Sequence, residues 1–494
     1  MTGRYLGVDV GTSATKVSLV TEDTTLTASA GYPTRHGRAG EAEQDPAAWS
    51  QALATALAAL AAQRGADLGS VTAIGLCGQT PTLVPVDAAG QPVRPALAWQ
   101  DTRASAEAAE LAARFGDPEP LIGTALPWSA ANMPAKLLWL ARHEPSTVRR
   151  TRWLLQPKDL AGLELTGSPA SDPWSTKGIC RVSDGAPAAD VLAGCGWPAQ
   201  ACPPIADAWA ARGTVSAAAA RRFGLPEDIP VCVGWSDALA QVLAAGCFER
   251  QSAFVFSGTS AIVGVPVPYE SRRAESRRAA GLFRVPRSCA PSPLLYGPTS
   301  SSGASVAWVA RLLGCQPADV PIIAAGAAEA AEATPTFVPY LAGERAPLWN
   351  TEVRGLLLGL AAEHGPPDIA RAVMAGTLLS ARHVLDTVAE TTGRQAGEIE
   401  YAGRGAGDPT WEALAMQTLG APVRFHSDPD ISARGAAILA ASMTGISLPE
   451  AIATLGDRAR SAEPSPADLA LGRTLIARYR QASDAALGWW RDTA

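Results

Sequence analysis

Moving a phosphoryl group takes hydrogen-bond donors around the phosphates, a carboxylate to hold magnesium and a base beside the attacking hydroxyl. The 494-residue chain carries a candidate for each. In Asp9-Val10-Gly11-Thr12-Ser13 the glycine lets backbone approach a phosphate, the Thr12 and Ser13 hydroxyls and amides can donate to it, and Lys16 can add charge. Asp9, ahead of the turn, is placed to hold a hydrated magnesium ion. An ordinary hairpin carrying an aspartate would read the same way.

A second carboxylate stands in Gly234-Trp235-Ser236-Asp237-Ala238, after the apolar run Ile229 to Val233 and before a helical stretch. The end of a strand at a glycine turn is a good position for a base. It is equally a good position for a helix N-cap, and pattern alone leaves both open for Asp237. Gly403-Arg404-Gly405-Ala406-Gly407 precedes Asp408-Pro409 and a helix whose end is marked by Gly420. Such a loop suits an anion or a nucleotide, or is a flexible connection capped by Asp408.

The elements that must position these residues follow from hydrophobic period. Leu6, Val8 and Val10 lead into Gly11-Thr12-Ser13, and Val17, Leu19 and Val20 resume beyond it, which reads as strand, tight turn, strand. The same grammar returns in Phe254-Val255-Phe256, Ser257-Gly258-Thr259-Ser260 and Ile262, Val263, Val265; 247 residues, half the chain, separate Gly11 from Gly258. Either Gly-Thr-Ser recurs as a common turn, or two related domains each offer a polar turn to a shared cleft. Asp45-Pro46 opens a helix with Trp49, Leu53, Leu57 and Leu60 on one face, and Val71 to Leu76 and Ile229 to Val233 read as strands. Gly185 to Pro204 and the arginine-rich Tyr269 to Arg287 read as surface loops.

Composition narrows the field. The length implies two domains, placed at 1–244 and 245–494. No run approaches a membrane span, the N-terminus carries no secretory pattern, and eight cysteines show no paired or zinc spacing, so reduced thiols in a cytoplasmic protein are expected. A net charge of −6 offers no general attraction to nucleic acid or anionic lipid. A small molecule is the expected partner.

Taken in order, DVGTSATK at Asp9 to Lys16, GWSDALA at Gly234 to Ala240, SGTS at Ser257 to Ser260 and YLAGERAP at Tyr340 to Pro347 resemble the FGGY carbohydrate kinases, most nearly their xylulokinase-like members. EQDPAAW at Glu43 to Trp49, WQDTR at Trp99 to Arg103, and PKDL with LTG at Pro157 to Gly167 agree. The resemblance implies an α/β fold of two ribonuclease H-like domains, of the actin and hexokinase type, flanking a central cleft, with sugar mainly on the first and ATP mainly on the second. It implies Asp237 as catalytic base, Asp9 and Asp237 as the magnesium-associated carboxylates, and Gly11, Thr12, Ser13, Lys16, Gly258, Thr259 and Ser260 around the phosphates. Gly303, Gly403 and Gly405 match nucleotide contacts, and Gln79, Trp99, Asp101 and Asp237 the sugar pocket. ATP and Mg2+ are the implied cofactors, a ketopentose such as xylulose the implied acceptor, and homodimers are frequent among relatives.

Three departures accompany the resemblance. Where xylulokinases read Gly-Gln-Met-His-Gly, this chain has Gly78-Gln79-Thr80-Pro81-Thr82; Arg404 interrupts three glycines; Ala375-Gly376 replaces a Glu-Gly pair. Another polyol or a sugar acid therefore remains an alternative acceptor, and a sugar or nucleotide sensor without turnover an alternative role. The Arg-Glu pair that glycerol kinases use near position 80 is absent.

Overall fold

The computed structural model describes residues 3–37, 40–125, 127–267, 281–327, 334–428 and 430–493. The chain forms two compact units: Met1–Gly246 with Val285–Pro291 and Asp430–Asp457, and Cys247–Arg284 with Ser292–Pro429 and Arg458–Ala494.

The first unit is built on a twisted sheet in the order Ala211–Thr214, Pro230–Cys232, Ala73–Gly78, Tyr5–Val10, Ala14–Val20, Thr25–Gly31. Tyr5–Val10 runs parallel to Ala73–Gly78 and antiparallel to Ala14–Val20. All six of its residues are buried, as expected for a strand covered on both faces. The second unit repeats this plan: Leu294–Pro298, Ala261–Pro266, Ala253–Ser257, Ile399–Gly403, Val423–His426 and Arg460–Ala462 lie in the corresponding order. Reading both sheets from the hairpin side, successive pairings are antiparallel, antiparallel, parallel, parallel, antiparallel in each. The duplication read from the two Gly-Thr-Ser turns is thus a duplication of sheet topology.

The helix Ile431–Ser442 lies on the first unit's sheet at backbone contact distance. A Cβ on Gly7 would stand 1.7 Å from the Ala433 carbonyl oxygen, and one on Gly75 the same distance from that of Ala436. Only glycine at both sites lets the helix seat this deeply.

The helix expected after Asp45 spans Pro46–Ala61, with Asp45 as its cap and Trp49, Leu53, Leu57 and Leu60 buried. Gly185 to Pro204 is not simply a surface loop: it contains the helix Ala189–Gly194, buries Val191, Leu192, Cys195 and Trp197, and the Trp197 indole donates to Leu137 O at 2.8 Å. Its alanine, glycine and proline content masked a short apolar face. Of Tyr269 to Arg287, residues 269–280, with Arg272, Arg273, Arg277 and Arg278, lie outside the described residues, while Phe283–Val285 is a strand with Phe283 and Val285 buried. All eight cysteines are free, and no described helix is long and apolar enough to cross a membrane.

Candidate functional site

Three neighbouring strands of the first unit end together. Val10 pairs with Gly78, and Gly78 with Ser236, so Gly11, Gln79 and Asp237 each stand one residue past the carboxyl end of a parallel strand. In open α/β sheets that edge is where ligands bind.

The turn after the first strand has all three carbonyls held by the protein. Gly11 O accepts from the Tyr32 hydroxyl at 2.7 Å, Thr12 O from Gln44 Nε2 at 2.6 Å and Ser13 O from Tyr32 N at 3.0 Å. Because a trans peptide sets N–H opposite C=O, fixing the Gly11 and Thr12 carbonyls aims the Thr12 and Ser13 amides the other way. Two successive amides so directed form a nest for an anion.

Asp9 lies beneath this turn, 4% exposed. Its Oδ2 accepts from the Ser432 hydroxyl at 2.7 Å, while Oδ1 is buried with no hydrogen-bond partner. Burial raises its pKa against the opposing pull of Lys16 and Ser432. Lys16 Nζ is 3.2 Å from Asp430 Oδ1. Asp430 and Ser432 come from the far end of the sequence, on the helix seated over Gly7 and Gly75, and no motif had marked them.

The N-cap reading of Asp237 is corrected locally. Ser236 is the N-cap, its hydroxyl accepting from Leu239 N at 3.4 Å, and Asp237 is the first residue of the helix Asp237–Ala244. One carboxylate oxygen accepts from Ala238 N at 2.7 Å. Burial, then the neighbouring charge of Asp9, pushes the Asp237 carboxyl up to about 7 against the usual carboxylate range. Lys177 also bears on this group. Its ammonium is buried, donates to Trp174 O at 3.1 Å and lies 4.7 Å from the Trp174 ring centroid, and burial brings its pKa down to about 8.

Among the expected acceptor-side residues, Gln79 is buried and Trp99 half-buried beside the turn, with the Trp99 indole donating to Thr12 Oγ1 at 3.0 Å. Asp101 is placed differently. It is fully buried; its Oδ2 accepts from Ala42 N at 2.8 Å, and both oxygens accept from the Arg103 side chain at 3.0 Å. An Asp101 carboxylate so occupied orients Arg103, which also reaches Glu43 at 2.8 Å.

The second unit builds a matching turn. Ser257 O accepts from Arg404 N at 2.7 Å, Gly258 O from Gly303 N at 3.0 Å, and Thr259 O from Ser302 N and Ala304 N at 3.0 Å. By the same peptide geometry the Thr259 and Ser260 amides face away from those partners. Gly303, Gly403 and Gly405 are brought together with this turn. A Cβ on Gly403 would stand 2.3 Å from Ser257 O and one on Gly303 2.6 Å from both Gly258 O and Arg404 Nε. Gly403, Gly405 and Gly407 share a φ of +89°, open to glycine at little cost. Asp408 caps the helix Pro409–Leu419 through Trp411 N, so cap and glycine loop coexist.

The YLAGERAP motif supports this turn from behind. Glu344 is buried, and its Oε1 accepts from Ser300 N at 2.6 Å and Arg345 N at 2.8 Å; Arg345 Nη2 donates to Thr299 O at 2.6 Å. Burial pushes the Glu344 carboxyl up to about 7. The pair fixes the segment that leads into Gly303.

Two turns with outward-facing amides on duplicated α/β units, one beside the buried Asp237 carboxyl and one beside a glycine loop, suit a phosphotransferase. Residues 4–244 match the N-terminal domain of the FGGY family of carbohydrate kinases and residues 253–444 its C-terminal domain. The chain belongs to that family and is a carbohydrate kinase. It is 30% identical over 447 residues to the xylulose kinase of Escherichia coli K12, covering 88% of this chain and 89% of that one. It is 28% identical over 451 residues to the xylulose kinase of Bacillus subtilis 168, covering 89% and 88%. The crystal structure of xylulose kinase from Rhodospirillum rubrum superposes with a TM-score of 0.85 at 26% identity, over 99% of this chain and 100% of that one.

Proposed function

We propose that this kinase transfers the γ-phosphate of ATP to a hydroxyl of a ketopentose, with D-xylulose the first candidate, and that Asp237 takes the proton from that hydroxyl. The observation that carries the proposal is the position of Asp237: a carboxyl at a strand end, one residue past the Ser236–Gly78 pair as Gln79 is, with its pKa raised toward neutrality. A base poised near 7 accepts a proton readily yet is ionised enough to do so at physiological pH. The similarity to xylulose kinases supports the choice of acceptor.

The amides and hydroxyls of Thr12 and Ser13 take the phosphate being transferred, and Lys16 adds charge beside them. The turn at Gly258, Thr259 and Ser260, with Gly303, Gly403 and Gly405, takes the nucleotide. The chemistry of the site also suits Mg2+. Asp9 Oδ1 is a buried acceptor without a donor, and the charge of Asp9 raises the proton affinity of Asp237. A divalent cation would supply the missing positive partner and neutralise charge on the phosphates. Among the described residues no group of three or more His, Cys, Asp or Glu could hold a metal. The fit is therefore to an ion completed by phosphate oxygens and water, as magnesium prefers. Gln79 and Trp99 contact the sugar, and Asp101 acts through Arg103.

A second acceptor class has one observation in its favour. The buried Lys177 ammonium has hydrogen-bond capacity beyond its bond to Trp174 O, and a carboxylate on a sugar acid would use it.

ADP release from ATP-Mg, measured in a coupled assay across ketopentoses, aldoses, polyols and sugar acids, tests both readings. Turnover on D-xylulose that Asp237→Asn abolishes supports the first. Preference for D-gluconate, lost in Lys177→Met, supports the second. Silence across the panel with intact sugar binding would point to a sensor.

A further inference from the structure

The phosphate turn and the acceptor side of the first unit are joined by a closed ring of hydrogen bonds that also passes through Gln44 and Thr82. Gln44, 1% exposed, precedes the helix Pro46–Ala61. Its Nε2 donates to Thr12 O at 2.6 Å and to Thr34 Oγ1 at 2.7 Å. Its Oε1 accepts from Trp49 Nε1 at 3.1 Å and from Gln79 Nε2 at 2.7 Å. Gln79 Oε1 accepts from Thr82 Oγ1 at 3.3 Å, Thr82 Oγ1 from Trp99 N at 3.1 Å, and the Trp99 indole returns to Thr12 at its hydroxyl.

Two features give this ring a direction. An indole can only donate, so the Trp49 contact fixes which end of the Gln44 amide is oxygen, and with it every other polarity in the chain. The Gln44 amide is also saturated, with both N–H groups and both lone pairs in use. A buried, saturated amide has no alternative orientation of similar energy. Holding Thr12 O sets the aim of the Ser13 amide; holding Gln79 Nε2 sets the side chain that flanks the acceptor.

We propose that Gln44 is a positioning residue which sets the phosphate-facing Ser13 amide and the acceptor-facing Gln79 together, so that loss of its N–H group misaligns the γ-phosphate while leaving acceptor binding in place. This rests on the assignment of the Gly11–Ser13 turn to the transferred phosphate. Gln44→Glu separates the two ends: a carboxylate still accepts from Trp49 and Gln79 but no longer donates to Thr12 O or to Thr34 Oγ1. Gln44→Met removes both ends. Gln63→Met is the control, because Gln63 Nε2 makes a comparable bond to Thr27 O at 2.6 Å in the same sheet but outside the ring.

Equilibrium binding of ATP-Mg and ADP-Mg by calorimetry needs no acceptor. Gln44→Glu should weaken ATP-Mg by about tenfold, the scale of the lost hydrogen bond to Thr12 O, since the Thr34 hydroxyl can turn to donate to the new carboxylate, and leave ADP-Mg within about twofold. With D-xylulose, or whichever acceptor the wild type turns over fastest, Gln44→Glu should lower kcat by about tenfold at nearly unchanged acceptor KM, and Gln44→Met should alter both. An ATP-to-ADP affinity ratio equal to that of wild type overturns the proposal. So does a change in Gln44→Glu that Gln63→Met reproduces at matched loss of Tm. If Gln44→Met does not fold, Gln44→Glu decides alone. Failure of the acceptor reading would show separately, as wild-type silence on the sugar panel.

Discussion

Gln79 and Arg404 occupy the same place in the two halves of the molecule. Gln79 N donates to Val10 O at 3.0 Å and Arg404 N to Ser257 O at 2.7 Å, each one residue past a glycine that pairs with the end of its unit's first strand. Both glycines are crowded by that same carbonyl, 2.8 Å from a Cβ on Gly78 and 2.3 Å on Gly403. One position carries a buried amide and the other an exposed guanidinium beside the Ser257–Ser260 turn.

Arg404 fills the space over Gly303 that three glycines would leave open. Its guanidinium is a cation at the edge of a phosphate-directed turn, and Arg404→Ala should raise the Kd of ATP-Mg and ADP-Mg alike by about three- to tenfold. Acceptor KM should not move. Unchanged affinity for both nucleotides would make Arg404 a spacer.

Asp237→Asn keeps the shape of the side chain and removes its basicity. Turnover should fall by about 10² to 10⁴, the usual worth of a positioned base, while Tm and sugar affinity stay near wild type. Full turnover in Asp237→Asn would sink the assignment.

The pH dependence follows from the raised carboxyl. Asp237 must be ionised to accept a proton, and with its pKa pushed up to about 7 the protonated form dominates below that value. The rate kcat/KM should therefore drop about tenfold per pH unit on the acid side. A divalent cation beside Asp9 and Asp237 favours the ionised forms, so raising Mg2+ should move this limb to lower pH. A limb that stays fixed from limiting to saturating Mg2+ would separate Asp237 from the metal.

Ser432→Ala leaves Asp9 Oδ2 without its hydroxyl donor. Burial of the charged carboxylate then costs more, by about 1–3 kcal/mol, so the Asp9 pKa should rise further and the Mg2+ concentration for half-maximal activity should increase. A Mg2+ titration at fixed free ATP measures it, and an unmoved midpoint would show that the Ser432 contact is structural only.

Much of this was legible in the chain. Val10-Gly11-Thr12-Ser13 and Phe256-Ser257-Gly258-Thr259-Ser260 announced themselves because strands alternate and turns need small polar residues, which are local rules. Asp237 was visible as a strand-end carboxylate, and the Ser236 cap bond removes only the reading of Asp237 as the N-cap. Gln44, Asp430 and Ser432 were not legible as site residues. Gln44 is separated by 35 positions from Gln79, and Ser432 by 423 from Asp9; nothing in local propensity reports a pairing at such range. Asp101 shows the converse limit: its identity suited a sugar pocket, but its two oxygens were already committed to Arg103 and Ala42.

The helix Ile431–Ser442 also bears on how the molecule is made. The sheet of the first unit is complete in sequence by Ser236, yet the helix that seats on Gly7 and Gly75 is synthesised almost 200 residues later. Until then that face of the sheet lacks this helix over Gly7 and Gly75, and Asp9 lacks Ser432. Long-range closure of this kind slows folding. Asp237 and the Gly11–Ser13 turn are thus encoded early, but the first unit cannot be sealed until the ribosome has passed Ser442.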